Sequence, residues 1–378
     1  MNISRRCLDG TTQSDEPLNQ SELYITTAGY KTDYAYEKLI QLLVEMIVNP
    51  GEAFIMGGTY RIPVLAGLYD KSIIDNLKRD DTYNEASFER EYESKWTGTS
   101  EDAFFSAESF DRSRVIQYAE TEYDNRSGKN SFYIIAVDVG RFSCASVAVV
   151  IKVTPQASGT WLKSIVNIYV FEDAHFEDQA IKLKHLFFKF KARRLVIDGN
   201  GVGAGLVDML VKHQVNMDTG EVLPDFGVYN DEKNEYKKYQ TPDTVWDAIY
   251  IIKANAPINT VAYSILKNWL RSGRLRFLID ERAAKNRLMG TVMGKNMVPE
   301  QRKEYLMPYV LTSFLKDEMI NLREENEGLN IKLTQITKKI KKDKFSALLY
   351  GMYYIHQEEE ENMKRKKKIK ISDLMFYT

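Results

Sequence analysis

Cysteine and histidine are scarce in this chain. Its 378 residues include two cysteines, Cys7 and Cys144, too few for a disulfide framework or a zinc cluster. The four histidines, His175, His185, His213 and His356, lack metal-ligand spacing. Neither sign of charge dominates, since 52 Lys and Arg face 53 Asp and Glu for a net charge of -1. Any polyanion partner must therefore be met by local patches, not by global basicity. No apolar run reaches the roughly 18 residues that a membrane span needs, and "MNISRRCLDG" is no signal peptide, so a reducing, cytoplasmic setting without a membrane is expected. The phosphate-loop pattern G-x-x-x-x-G-K-[ST] is also missing. What is present is an ordinary globular composition, 44% hydrophobic and 28% charged. At this length two domains are expected, because one core seldom grows past about 250 to 300 residues.

The N-terminal part alternates short patterns. "SELYITTAGY" reads as a strand ending in a turn, and "DYAYEKLIQLLVEMI" sets Tyr36, Leu39, Leu43 and Ile47 at helical spacing. A strand is expected at "EAFIMGGTYRI" and a helix near "DKSIIDNLKRD", followed by the aromatic-rich "FEREYESKWTGTSEDAFF". The polar stretch "YAETEYDNRSGKNS" marks a domain boundary. The expected domains are 1–104, a linker at 105–130, and 131–378.

From Phe132 the pattern is regular. "FYIIAVDV", "CASVAVVIKV" and "WLKSIVNIYVFE" read as a three-stranded antiparallel meander. "FEDQAIKLKHLFFKFK" places Ala180, Leu183, Phe187 and Phe190 on one helical face, and "RRLVIDGNGVGAGLVDML" gives a strand, a Gly-rich turn and a helix. Right-handed crossover then predicts that this fourth strand lies parallel to the first and beside it. The remainder is expected to hold a helix-rich insertion (about 241–327), the strand "LNIKLTQI" and an amphipathic helix that buries Phe345, Leu348, Leu349 and Met352.

Three carboxylates stand out. Asp138 lies inside a run that otherwise reads as sheet interior, where an ionised group is costly without a cation or donors to compensate it. Asp198 ends the neighbouring strand, and Asp343 opens the late helix. Each has a bland use, as a strand-end turn former or a helix cap. Together they suit hard divalent cations, which take oxygen ligands, keep several waters and need no His or Cys. A fourth acid is open among Glu172, Asp173, Asp247 and Asp280, each as readily a surface or capping residue.

The motifs "AVDVGR" with Asp138, "LVIDGNGVGAGLVDML" with Asp198 and "KKDKFSALLYGMYYI" with Asp343 resemble the ribonuclease H-like fold, and more narrowly the nuclease domain of the large terminase subunit of tailed bacteriophages. Upstream, "FEREYESKWTGTSEDAFF" looks like the segment that closes that family's ATPase domain. "ITTAG", with Thr26, Thr27 and Gly29, looks like its motif coupling ATP hydrolysis to movement. The resemblance implies an α/β chain with a ribonuclease H-like mixed sheet flanked by helices, preceded by a partial P-loop-type ATPase domain that lacks the phosphate-binding loop. It implies a divalent-metal-dependent endodeoxyribonuclease that cuts concatemeric double-stranded DNA during packaging, in the cytoplasm of the infected bacterial host and transiently at the viral procapsid. Two Mg²⁺ or Mn²⁺ ions are expected, one held by Asp138 and Asp198 and the other by Asp138 and Asp343. Implied partners are a separate ATPase chain, the terminase small subunit and the portal. Without a phosphate loop, ATPase activity by this chain alone is not expected.

Other readings compete. Gly199, Gly201 and Ala204, with Asp218 some way beyond Asp198, outline a weak dinucleotide fingerprint. Asp198 would repel a pyrophosphate there, and a meander precedes it where a βαβ unit should open. A resolvase- or transposase-like nuclease would share the carboxylate logic without explaining the upstream motifs. A catalytically idle DNA-binding or docking component would need no divalent metal. Among basic residues, Arg141, Lys341, Lys342 and Lys344 are the expected DNA contacts. Lys267, Arg271, Arg274 and Arg276 of "KNWLRSGRLRF", interleaved with aromatics, could add to a DNA surface but read as a solvated face. The charge-segregated "EEEENMKRKKKIK" reads as an exposed helix end.

Overall fold

The structure, a computed structural model, describes residues 22–29, 34–77, 88, 90–96, 103–125, 130–140, 145–172, 175–217, 219–327 and 330–374. The chain divides into two units, Met1–Ser100 and Glu101–Thr378. In the first, α1 (Tyr34–Val48), α2 (Arg61–Leu65) and α3 (Lys71–Leu77) form. Ile74 and Phe88 are buried, and Phe88 stacks on Tyr92 at 5.0 Å. The two N-terminal strands expected from sequence do not form. Residues 22–29 lack regular structure, 50–53 make only an isolated bridge, and the end of the second segment is α2. Neither segment finds a strand to pair with among the described residues, and an unpaired β ribbon is not stable by itself.

The second unit is built on an eight-stranded sheet in the order β1-β10-β4-β3-β2-β5-β9-β8. Its strands are β1 (Arg114–Ile116), β2 (Phe132–Asp138), β3 (Ser146–Pro155), β4 (Trp161–Phe171), β5 (Arg194–Asp198), β8 (Phe226–Val228), β9 (Val245–Ile252) and β10 (Leu275–Leu278). Short ribbons β6–β7 (Gln214–Val215, Val222–Leu223) and β11–β12 (Leu322–Glu327, Asn330–Gln335) lie outside it. β3 alone runs against its neighbours, and the other pairs are parallel. This is the helix-flanked mixed sheet that the ribonuclease H resemblance implied, with β5 parallel to β2 and beside it as the crossover rule predicts.

Side-chain alternation divides the core between the two faces. Tyr133, Ile135 and Val137 of β2 pack with α5 (Phe176–Lys189) and α6 (Val202–Leu210). Phe132, Ile134 and Ala136 pack on the opposite face with α7 (Ala256–Arg271) and the long α11 (Asp343–Leu374). A strand covered on both faces reads as an unbroken apolar run, which is why β2 is apolar up to Asp138. The helices α8 (Glu281–Met289), α9 (Val292–Asn296) and α10 (Pro299–Ile320) lie between β10 and β11 in the chain.

Two boundaries differ from the sequence reading. Residues 105–130, expected as a linker, belong to the second unit: Phe105 and Phe110 are buried, Phe110 stacks on Phe277 at 4.1 Å, and β1 pairs with β10. These apolar anchors fall just before the polar stretch that suggested a break. The insertion after residue 241 also holds two sheet strands, β9 and β10, as well as helices.

Candidate active site

The β2–β5 pairing sets the geometry. Its register runs Ile134↔Arg194, Ile135↔Leu195, Ala136↔Val196 and Val137↔Ile197. One residue further along, Asp138 and Asp198 come side by side at the ends of neighbouring parallel strands, which lie about 4.8 Å apart. Both share the face of Ala136 and Val196, the face that α11 covers. α11 fits there because Gly351 has no side chain; a Cβ on it would come 2.7 Å from the Cβ of Ala136 and 2.6 Å from Ile151 Cδ1. Asp343, the first residue of α11, completes the set.

Asp198 and Asp343 both act on the Asp138 carboxyl. The Asp138 carboxyl is pushed up to about 7, first by burial and then by repulsion from Asp343, Asp198 and Glu318, with Lys342 pulling the other way. No described residue donates a hydrogen bond to it, so its ionised form has little beyond that one lysine to compensate it. The Tyr350 hydroxyl, two turns into α11, is likewise driven upward by burial and by the charges of Asp198 and Asp138. Asp198 accepts the Asn200 backbone N–H at 3.1 Å. Beyond Asp138, the turn into β3 is pinned by the Gly140 N–H donating to Ser146 Oγ at 2.8 Å and by that hydroxyl donating to Gln179 at 2.7 Å.

Sequence reasoning missed Glu318. It sits in the last turn of α10, is 3% exposed, and accepts from Lys344 Nζ at 2.9 Å and from the Phe345 N–H at 2.9 Å. Burial raises its pKa, the Lys344 charge and both hydrogen bonds lower it, and Asp343 raises it. Glu318 therefore holds the first turn of α11 through the two residues that follow Asp343. No motif marks a Glu inside a long helix, and only the packing of α10 on α11 makes it relevant.

The other expected residues divide. Lys341 and Lys342 are exposed next to Asp343, whereas Lys344 is taken up by Glu318. Arg141, Asp173 and Asp218 lie outside the described residues. Glu172 is exposed, Asp247 sits on β9 with its carbonyl accepting from Arg194, and Asp280 caps α8 through the Ala283 N–H at 2.9 Å. None of those three acids is among the groups that act on Asp138. Thr26, Thr27 and Gly29 are in the first unit, where the Thr26 hydroxyl donates to the Thr27 carbonyl at 2.9 Å. The Gly-rich turn has a steric explanation: Gly201 takes φ +55°, and a Cβ on Gly203 would fall 1.7 Å from the Asp198 carbonyl oxygen.

Among the described residues, no group of three or more His, Cys, Asp or Glu side chains is arranged to hold a metal ion as it stands. The candidate oxygen donors are two adjacent strand-end carboxylates, Asp138 and Asp198, and a helix-start carboxylate, Asp343. That chemistry fits a hard divalent cation that keeps much of its water shell, and does not fit a dehydrated, thiolate- or imidazole-bound metal.

Among the described residues, no helix is long and apolar enough to cross a membrane. No protein-family model and no curated protein matches the sequence. The structure is similar, at low identity, to solved large terminase nuclease domains from several phages. The large terminase nuclease of thermophilic phage G20c with bound magnesium is 14% identical with a TM-score of 0.40, the match covering 68% of this chain and 98% of that one. A mutant nuclease domain of the large terminase subunit of bacterial virus Sf6, with manganese, is 12% identical with a TM-score of 0.35, over 66% of this chain and 98% of that one. The large terminase of bacteriophage HK97 is 9% identical with a TM-score of 0.36, over 84% of this chain and 60% of that one.

Proposed function

We propose that this chain is a divalent-metal-dependent DNA endonuclease, and more narrowly the nuclease of a viral DNA-packaging terminase that cuts concatemeric double-stranded DNA by two-metal phosphodiester hydrolysis. The observation that carries the nuclease reading is the register that seats Asp138 beside Asp198 on the face where α11 begins at Asp343. Mg²⁺ or Mn²⁺ bound there would supply Lewis acidity toward the phosphodiester and lower the pKa of an attacking water. The chain's own residues position and bind. Asp138, on which both other carboxylates act, would be the shared ligand, the Asn200 N–H orients Asp198, and Glu318 fixes the turn that carries Asp343. Lys341 and Lys342 offer positive charge beside this cluster for the DNA backbone.

The terminase part of the reading rests on the upstream motifs. In it the first unit is the end of an ATPase domain with Thr26, Thr27 and Gly29 as the coupling turn, a separate chain supplies the phosphate site, and the small subunit and portal are further partners. The exposure of Ile40, Val44 and Ile47 along α1 fits a domain completed by another surface.

Supercoiled plasmid offered to the purified chain with Mg²⁺ or Mn²⁺ tests the proposal. Nicking and linearisation are expected for the wild type, falling at least about 100-fold in Asp138→Asn, Asp198→Asn and Asp343→Asn, as for loss of transition-state charge stabilisation. Metal-independent cleavage, or equal cleavage by all four proteins, would reject it. Equal inactivity with equal DNA binding would favour the docking-component reading.

A further inference from the structure

A strongly basic cleft on the second unit is used by none of the chemistry above. One part, of about 550 Å³, is bordered by Arg112, Arg271 and Arg276. A smaller part, of about 130 Å³, adds Lys267 and shares Ser109, Leu270 and Arg271 with the first. The lining thus combines four cations from three elements, α4 (Ala107–Arg112), α7 and β10, with several serines and no carboxylate.

The cations are not consumed by the fold. Arg274, one turn away, is spent on Glu359, and Lys316 on Asp111. Among the described residues, Lys267, Arg271, Arg276 and Arg112 have no carboxylate within salt-bridge distance; Arg112 reaches only Ser109 Oγ at 3.3 Å. Lys267 and Arg271 stand four apart on α7, an arrangement that destabilises a helix through like-charge repulsion. The exposed Glu324 gives Lys267 a partial counter-charge. The last-turn position of Arg271 complements the α7 dipole, but that accounts for one cation of the four. Phe104 and Phe105 wall the smaller part, with Lys267 Nζ 3.8 Å above the Phe104 ring. Phe105 in turn meets Phe345, two residues from Asp343, at 5.6 Å. One layer of aromatic rings therefore separates the cleft from the start of α11.

We propose that this cleft binds successive phosphates of a nucleic-acid strand, as a second contact surface beside the Asp138–Asp198–Asp343 cluster. Guanidinium forks and serine hydroxyls are the groups that hold phosphate oxygens, and a volume of several hundred Å³ open to solvent accommodates a strand running through. The assignment extends the nuclease reading by naming where its substrate lies, but it rests on the cleft's own residues.

The test is binding of a fluorescein-labelled 30-base-pair duplex in EDTA, followed by anisotropy across a salt series, for the full chain and for Lys267→Gln/Arg271→Gln/Arg276→Gln. Loss of three phosphate contacts makes the slope of log K against log salt shallower by roughly 3. An equal charge loss on an exposed face elsewhere, Arg282→Gln/Lys285→Gln/Lys303→Gln, is expected to change it by less than about 1. An unchanged slope in the first variant, or equal changes in both, would overturn the proposal. Should the triple variant fold poorly by circular dichroism, Arg112→Gln/Arg276→Gln at exposed positions is expected to lower the slope by roughly 2. Pyrophosphate is the second probe: thermal stabilisation of the wild type that the variant loses, with the duplex slope unchanged, would assign the cleft to a free anion and overturn the strand reading. Plasmid cleavage separates the two claims. Cleavage without the slope change defeats the cleft alone, and the slope change without cleavage defeats the nuclease alone.

Discussion

At the scale of single residues, the question is what compensates Asp138. Its usual pKa of 3.8 is raised to about 7 by burial and by three carboxylates. Between those values the folded chain holds more protons than the unfolded one, so metal-free stability falls as pH rises from about 4 to 7 and levels off above. The ionised group then costs on the order of 4 kcal/mol at pH 8. Asp138→Asn is accordingly expected to stabilise the metal-free protein in urea unfolding at pH 8, by up to about that amount, while abolishing cleavage. At pH 4 the two proteins should unfold alike. A variant less stable than wild type at pH 8 would mean that the carboxylate has protein partners after all. Lys184 behaves in the opposite sense. Buried beneath Phe226, with its ammonium donating to the Lys212 carbonyl, it is pulled down to about 8 by burial, against the attraction of Asp225. The fold then binds fewer protons than the unfolded chain between about pH 8 and 10.5, so this group makes stability rise with pH in that window. Lys184→Met should flatten the rise.

At the scale of elements, the site depends on how close two backbones come. A Cβ at Gly203 would meet the Asp198 carbonyl oxygen, a backbone atom that cannot yield without opening the β5–α6 turn. Gly203→Ala should cost at least about 3 kcal/mol and remove activity. Gly351→Ala sets two effects against each other. Helix propensity favours Ala by about 1 kcal/mol, while overpacking against Ala136 and Ile151 costs about 1 to 3. A net loss of up to about 2 kcal/mol is expected, with Asp343 shifted and cleavage reduced more than stability. Unchanged stability and activity would show that α11 does not bear on the sheet as closely as Gly351 indicates.

The same elements explain what was legible in the sequence. The β2–β3–β4 meander and its parallel partner β5 were readable because apolar runs of strand length alternate with turn signals and one helix. Asp138 and Asp198 were readable as charges closing those runs. β9 was not, because "VWDAIYII" is a half-buried parallel strand without clean alternation, set amid helical segments. Glu318 was invisible because nothing local separates a helical Glu that caps a neighbouring helix from one that faces water. The cations of "KNWLRSGRLRF" were visible individually, but folding divided them: Arg274 went to a half-buried pair with Glu359, while Lys267, Arg271 and Arg276 were left at a cleft.

At the scale of the whole molecule, both hydrophobic clusters that flank the sheet draw all their residues from the second unit. A chain of residues 101–378 should therefore fold cooperatively alone and, on the proposed nuclease reading, match the full chain in metal-dependent cleavage. A collapsed or inactive fragment would tie the site to the first unit. The account's central claim is that the charge gathered at Asp138, Asp198 and Asp343 exists to hold a divalent cation. The most direct measurement is a titration of the full chain with Mn²⁺, followed by the electron paramagnetic resonance signal of free Mn²⁺, beside Asp138→Asn and Glu300→Gln, a change at an exposed acid remote from the site. The account predicts saturable binding by wild type and Glu300→Gln that competes with Mg²⁺ and is lost in Asp138→Asn. Binding that survives in Asp138→Asn, or none in any of the three, would contradict it.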